Sequence, residues 1–203
     1  MGRQEHWETV YQTKDHTKVG WYQSSSDISL ELIEKIGLSK DASVIDIGAG
    51  ASTLVDGLLE GGFQNITLLD LSNEALTITK ERLGDKAHIP ICVVDDVTTV
   101  SLQQCYDLWH DRAAFHFLLD ENEQQSYIRT MRDSLNAKGY AIIGTFAVDG
   151  PDNCSTLRVK QYNRERMEDV LSGQMVIIDV AESIHITPSG GEQKFSFFIL
   201  KPI

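Results

Sequence analysis

Three carboxylates and a glycine-rich turn are the residues of this sequence best suited to hold a charged small molecule. In Val44-Ile45-Asp46-Ile47-Gly48-Ala49-Gly50-Ala51-Ser52 an apolar run passes through an acid into a turn with glycines at 48 and 50. Without a Cβ, the main chain at those positions can approach a ligand closely. Thr53 stands where the dinucleotide fingerprint GxGxxG needs its third glycine, and no GK[ST] follows. Neither a pyrophosphate site nor a nucleotide P-loop is therefore indicated. Asp46, just before the turn, would repel a phosphate and attract a cation. Asp70 closes the next apolar run, Leu68-Leu69-Asp70-Leu71, where nucleotide-binding sheets place a ribose-diol acceptor. An ionised carboxylate accepts from both hydroxyls. Asp96, in Val94-Asp95-Asp96-Val97, follows the third run and could accept from an adenine amino group. A single strand-terminal acid is commonly a cap or a turn residue. Three in register beside a glycine turn point to a cofactor site.

These residues need a frame of alternating strands and helices. Strands are predicted over 43–47, 65–71, 89–94, 106–110 and 140–146, each rich in branched or aromatic residues. Between them lie predicted helices. One spans 52–60 and stops at Gly61-Gly62; another spans 73–83, with Ser72 as cap and Gly84 as stop; a third spans 121–136, following Asp120 and ending near Gly139. A helix over 28–36, capped by Asp27, precedes the first strand. Helical crossovers between strands imply a parallel sheet, and unbroken apolar strands imply that both faces are covered. The last two runs, 174–186 and 193–200, are joined by Thr187-Pro188-Ser189-Gly190-Gly191 and form a hairpin, so the final strand enters antiparallel. The fold expected is a three-layer α/β domain spanning 1–203.

Composition narrows the partners. A net charge of −12 disfavours a phosphate surface, so no nucleic acid is expected, and Lys80, Arg82 and Lys86 sit among acids on what looks like a solvated helix face. No run reaches the length of a membrane span and the first ten residues have no signal-peptide core, so no membrane association and a cytoplasmic location are expected. Cys92, Cys105 and Cys154 lack metal-ligand spacing, and no metal site is expected; Cys92 is read as a small buried hydrophobe. The sequon Asn65-Ile66-Thr67 is coincidental without a secretion signal.

The set Asp46 to Ser52, Asp70 and Asp96 resembles the cofactor motifs of Rossmann-like (class I) S-adenosylmethionine-dependent methyltransferases, from about Leu32 to the C-terminus. That family has a seven-stranded, mostly parallel sheet with an antiparallel last strand. The resemblance implies S-adenosyl-L-methionine as cofactor. Gly48, Ala49 and Gly50 would line its methionine part, Asp70 with Leu71 its ribose, and Asp96 with Val97 its adenine. Asp46 would act on the methionine amino group through water. Trp7, Tyr11 and Trp21-Tyr22 resemble the N-terminal segment that folds over the cofactor in lysine-directed and small-thiol-directed members. Residues 1–26 are accordingly expected as a lid and 27–203 as the catalytic core.

A narrower likeness runs through Asp107 to Leu118 and through Gly144 to Pro151 with Cys154-Ser155. These segments are similar to a subgroup containing citrate synthase lysine methyltransferases and many bacterial members of unassigned substrate. Methyl transfer is an in-line displacement at a sulfonium, helped by alignment, water exclusion and aromatic faces. Trp21, Tyr22 and Trp109 are candidate faces, although Trp109 in mid-strand suits core packing better. Asp111 and Arg112 fall at the mouth of the fourth strand, where the acceptor must sit. Asp111 could orient or deprotonate an acceptor amine, or simply pair with Arg112. His116 could be a general base near neutral pH or pack on the following helix. His110-Asp111-Arg112-Ala113 replaces the Asn-Pro-Pro-Tyr type motif of adenine-N6 and glutamine-amide enzymes, which disfavours those acceptors. The loop 149–157, with Arg158 and Tyr162, is expected to close one wall of the pocket. The function expected is methyl transfer to a lysine side chain or a small nucleophilic metabolite. The rival is a non-catalytic S-adenosylmethionine or nucleoside-binding module; a nicotinamide oxidoreductase is opposed by the missing glycine and the terminal hairpin.

Overall fold

The computed structural model describes residues 2–203. Seven strands form one sheet in the order β3-β2-β1-β4-β5-β9-β8. They are β1 (Ser43–Ile47), β2 (Asn65–Asp70), β3 (Ile91–Val94), β4 (Tyr106–Arg112), β5 (Leu135–Phe146), β8 (Met175–Ile186) and β9 (Glu192–Pro202). β1 to β5 run parallel, whereas β9 lies antiparallel between β5 and β8. The expected hairpin supplies that last strand, closed by Thr187 N–H donating to Gly191 O at 2.8 Å. A two-stranded ribbon, β6 (Asn153–Cys154) with β7 (Leu157–Arg158), follows β5.

Side-chain alternation along each strand feeds two cores. Val44, Leu108, Ile142 and Phe197 face one side, against Leu32 and Ile33 of α2 (Asp27–Ile36), Leu54 and Leu58 of α3 (Leu54–Glu60) and Leu76 of α4 (Asn73–Leu83). Ile45, Trp109, Ile143 and Phe198 face the other, against Tyr127 and Met131 of α5 (Glu121–Asp133) and Met167 and Leu171 of α6 (Arg164–Leu171). Burying each such side chain is worth about 1.5–3 kcal/mol. This is the expected three-layer arrangement. The chain leaves β1 for β2 on one side and returns for β4 on the other, so a crevice opens at the carboxyl ends of β1 and β4.

Several boundaries differ from the sequence expectation for identifiable reasons. β5 begins at Leu135, not 140, because Leu135 pairs with Tyr106; α5 therefore stops at Asp133. Gly139 lies inside that strand, where a Cβ would come within 3.0 Å of Asn136 O and Tyr106 O. β4 extends to Arg112 through pairing with Gly144. Asp27 is the first residue of α2 and not its cap, which is Ser26. Ser72 caps α4 as expected, accepting from Ala75 N–H, and Asp120 caps α5, accepting from Asn122 and Glu123 N–H. β3 is an edge strand, so Cys92 is only half-buried. Two helices had no counterpart in the sequence expectation: α6, capped by Asn163, and α1 (Arg3–Thr13). Among the described residues no helix is long and apolar enough to cross a membrane.

Candidate functional site

The glycine turn follows β1 directly. Gly48 (φ +61°) and Gly50 (φ +52°) adopt the left-handed conformation that favours glycine. Their need for no side chain is set by the chain itself. A Cβ on Gly48 would lie 2.6 Å from Ala114 Cβ, and one on Gly50 would lie 2.5 Å from the Tyr11 hydroxyl. Asp70 ties the turn to the next crossover: Oδ2 accepts from Gly50 N–H and Oδ1 from Ser72 N–H, each at 2.8 Å. Burial pushes its carboxyl up to about 6, despite those hydrogen bonds from Ser72 and Gly50. Arg82 is not a solvated charge, as its neighbours in sequence suggested. It donates to Ala51 O (3.0 Å) and Ser52 O (2.5 Å) and pairs with Asp56 (2.8 Å), clamping the end of the glycine turn.

A cleft of about 800 Å³, counting its open mouth, occupies the crevice. Gly48, Asp70, Leu71, Asp96 and Val97 line it on the β1–β3 side, with Tyr11 and Trp21 above. Asp46 and Ala49 line a smaller adjoining hollow, which shares Tyr11, Trp21, Gly48 and Arg112 with the cleft. Gly50 lies behind Tyr11 and lines neither. Asp96 accepts from Thr98 N–H (2.9 Å) and Oγ1 (2.7 Å) and pairs with Arg3 (3.1 Å). Burial alone would raise its carboxyl, but Thr98 and Arg3 hold it below the usual range, so it stays ionised. Asp46 belongs to a buried array that no motif announced. Its Oδ1 lies 2.7 Å from His110 Nδ1, and His110 Nε2 lies 2.9 Å from Ser29 Oγ.

α1 forms the roof. Glu8 accepts from Ser72 Oγ (2.7 Å) and Glu74 N–H (3.2 Å), placing a carboxylate at the positive end of α4. Arg3 reaches Glu123 as well as Asp96. Trp7 stands edge-on to Trp21 (centroids 5.5 Å apart) and to Phe117 (5.1 Å), and Trp21 Nε1–H donates to the Tyr11 hydroxyl at 3.2 Å. Sequence reasoning missed Arg3, Glu8 and Phe117. The signal available was the spacing of Trp7 and Tyr11, one helical turn apart.

On the β4 side the three residues expected to act on an acceptor separate. Asp111 is fully buried and does not line the cleft. Its carboxylate accepts from Ala114 N–H (2.9 Å), Phe115 N–H (3.0 Å) and the Tyr127 hydroxyl (2.7 Å). Burial lifts it to about 6, but its oxygens are spent holding the turn after β4, and it neither pairs with Arg112 nor faces an acceptor. His116 is equally enclosed; Phe146 N–H donates to its Nδ1 at 3.4 Å and Nε2 has no partner. Burial, reinforced by Arg112, pushes it down to about 3, so it is neutral and not a base poised near neutrality. Trp109 is core, donating to Tyr127. Arg112 alone reaches the cleft. Its Nη1 donates to Trp21 O (3.1 Å), its guanidinium sits 4.7 Å from the Phe195 ring centre, and Nη2 is enclosed without a partner. Cys154, from the loop expected to form a wall, also lines the cleft, whereas Tyr162 is buried in the core and Arg158 is exposed. Burial raises the Cys154 thiol to about 11, which keeps it protonated.

Known proteins resemble this chain in sequence and in fold. The family described as "Methyltransferase domain" matches residues 44–139, from β1 to the start of β5. The chain is 26% identical over 158 residues to EEF1A lysine methyltransferase 2 of Danio rerio, covering 70% of this chain and 68% of that protein. It is 24% identical over 119 residues to malonyl-[acyl-carrier protein] O-methyltransferase 1 of Ilyobacter polytropus, covering 55% of this chain and 44% of that protein. Its fold matches the glycopeptide N-methyltransferase MtfA, solved with S-adenosyl-L-methionine, with TM-score 0.70 at 15% identity over 91% of this chain and 97% of that one.

Proposed function

We propose that this chain, a class I S-adenosylmethionine-dependent methyltransferase, methylates a small nucleophilic molecule admitted beside Arg112 and Cys154. When bound, the cofactor supplies an electrophilic methyl group on a sulfonium. The residues present fit it. Asp70, above pH 6, would accept from the ribose hydroxyls while its backbone partners fix its orientation. Asp96 and Val97, which line the cleft, would border its adenine end, and Asp46 with Ala49, which line the adjoining hollow, its methionine end. Trp7, Trp21 and Phe117 would exclude water and offer aromatic faces to a cation. Residues 1–26 act as the lid in this reading, since α1 and Trp21 roof the cleft.

The observation that carries the choice of acceptor is that roof. Trp7, Tyr11 and Trp21 are linked edge-to-face and by a hydrogen bond over the cleft, an enclosure suited to a molecule that enters whole. Methylation of a protein lysine is the second reading, favoured by the named activity of the Danio rerio relative and by the likeness of 107–118 to the citrate synthase enzymes. Incubation with cofactor tritiated at the methyl group and a cell lysate separates the two. Label in the small-molecule fraction supports the first reading, and label confined to a protein band replaces it with the second. Calorimetric titration with S-adenosylhomocysteine and NAD tests the cofactor assignment itself, and binding of NAD alone would end it.

A further inference from the structure

The acceptor end of the cleft carries one charged side chain, and it is a cation. Arg112 rises from the last residue of β4, and its Nη2 is enclosed without a hydrogen-bond partner while Nη1 is held by Trp21 O. A buried N–H left unmet costs about 1–3 kcal/mol, more on a charged group. Such orphans are rare in folded chains, and a ligand is one way to satisfy them. The acids of the same cleft, Asp70, Asp95 and Asp96, stand at the ends of β2 and β3. Asp46 is nearer but engaged with His110. Trp21 and Cys154 also line a second, open depression together with Lys14, Asp15 and Lys18. Lys18 pairs with Asp15, while Lys14 has no ion pair among the described residues. On a chain of net charge −12, Lys14 is thus a further cation without an ion pair beside the wall that carries Arg112.

We propose that Arg112 is a specificity-determining residue that binds a carboxylate on the methyl acceptor through its unpartnered Nη2, so that the acceptor is a small carboxylic acid bearing a second, nucleophilic group. Guanidinium and carboxylate match in charge and planarity, and a lysine ammonium at the same place would meet a like charge. This inference rests on the methyltransferase reading, and its test separates the two.

Full-length protein saturated with S-adenosylhomocysteine is titrated calorimetrically with benzoate and with benzamide, its neutral isostere, which suits the aromatic walls. Benzoate should bind, and benzamide about tenfold more weakly or worse. Arg112→Gln should lose that preference, with S-adenosylhomocysteine affinity kept within about threefold; Arg112→Lys should recover part of it. Equal binding of the two probes, no binding of benzoate, or a preference that survives Arg112→Gln overturns the proposal. The cofactor's own carboxylate is the other possible source of the charge. If it is the ligand, Arg112→Gln weakens S-adenosylhomocysteine but not 5′-methylthioadenosine, which lacks the amino acid, and the proposal falls. Should Arg112→Gln not fold, the probe comparison on the parent chain and on Arg112→Lys still decides. A parent chain that binds no S-adenosylhomocysteine sinks the methyltransferase reading instead.

Discussion

The two halves of the cleft are built on different principles. On the β1–β3 side the groups that matter sit at strand ends and are fixed by backbone: Asp70 accepts from two main-chain N–H groups, and the glycine turn is shaped by positive φ angles. On the β4–β5 side the outcome depends on which way a side chain points. Asp111 and Arg112 are neighbours, yet alternation along β4 sends them to opposite faces of the sheet. Asp111 joins Trp109 and Tyr127 in one core, while Arg112 joins the wall of the cleft. The lesson is that a motif identifies a site most safely where the main chain does the positioning.

The contrast can be broken by experiment, and the largest effect is expected on the β4 side as a loss of stability. Asp111→Ala should lower the free energy of unfolding by about 3–5 kcal/mol, because it strands two N–H groups and the Tyr127 hydroxyl in the core. Denaturant titration measures this, and Asp111→Asn should recover part of the loss. A stable Asp111→Ala chain with lost turnover would return Asp111 to the chemistry. On the glycine side, Gly48→Val should weaken S-adenosylhomocysteine about a hundredfold, since its Cβ meets Ala114 at 2.6 Å where φ is +61°. Calorimetry on a variant with parental circular dichroism checks it.

His116 should betray itself through pH. Its folded pKa of about 3 lies below the unfolded value, so the unfolded chain binds the proton first and this contribution to stability falls as pH drops below about 6.5. Relative to the parent, His116→Gln should therefore gain about 2 kcal/mol between pH 7 and 5, with turnover at neutral pH retained. A flat difference would show that the ring takes up its proton at the same pH in the folded chain as in the unfolded one. The smallest effect concerns Asp70. Its carboxyl at about 6 must be ionised to accept from two hydroxyls, so S-adenosylhomocysteine affinity should fall by up to about tenfold per pH unit below 6. Asp70→Asn, weaker throughout, should remove that slope.

Much of the frame was legible in advance. The order of strands and helices, the terminal hairpin and the capping role of Ser72 follow from local rules of periodicity, capping and turns, and the structure contains them. The start of β5 was missed because residues 135–139 are held in the sheet by pairing with Tyr106 rather than by an apolar run. α1 was missed as a helix because most of its side chains are polar, and its docking depends on Glu8, Arg3 and Trp7 finding partners more than sixty residues away. Of the acceptor-side candidates, Asp111 was assignable to the core from sequence, since a strand period of two puts it beside Trp109.

What the amino-acid order determined by itself was the sequence of elements, the glycine turn and the acids that end the first three strands, because those depend on residues within a few positions of one another. That Arg112 and not His116 meets the cleft, and that Asp46, His110 and Ser29 form one array, were decided only when β4 was laid between β1 and β5 under α1, and that Arg82 clamps the turn only when α4 came to lie beside the start of α3. Those relations join residues remote in the chain, and burial, which sets both their contacts and their protonation, exists only once the sheet has closed around them.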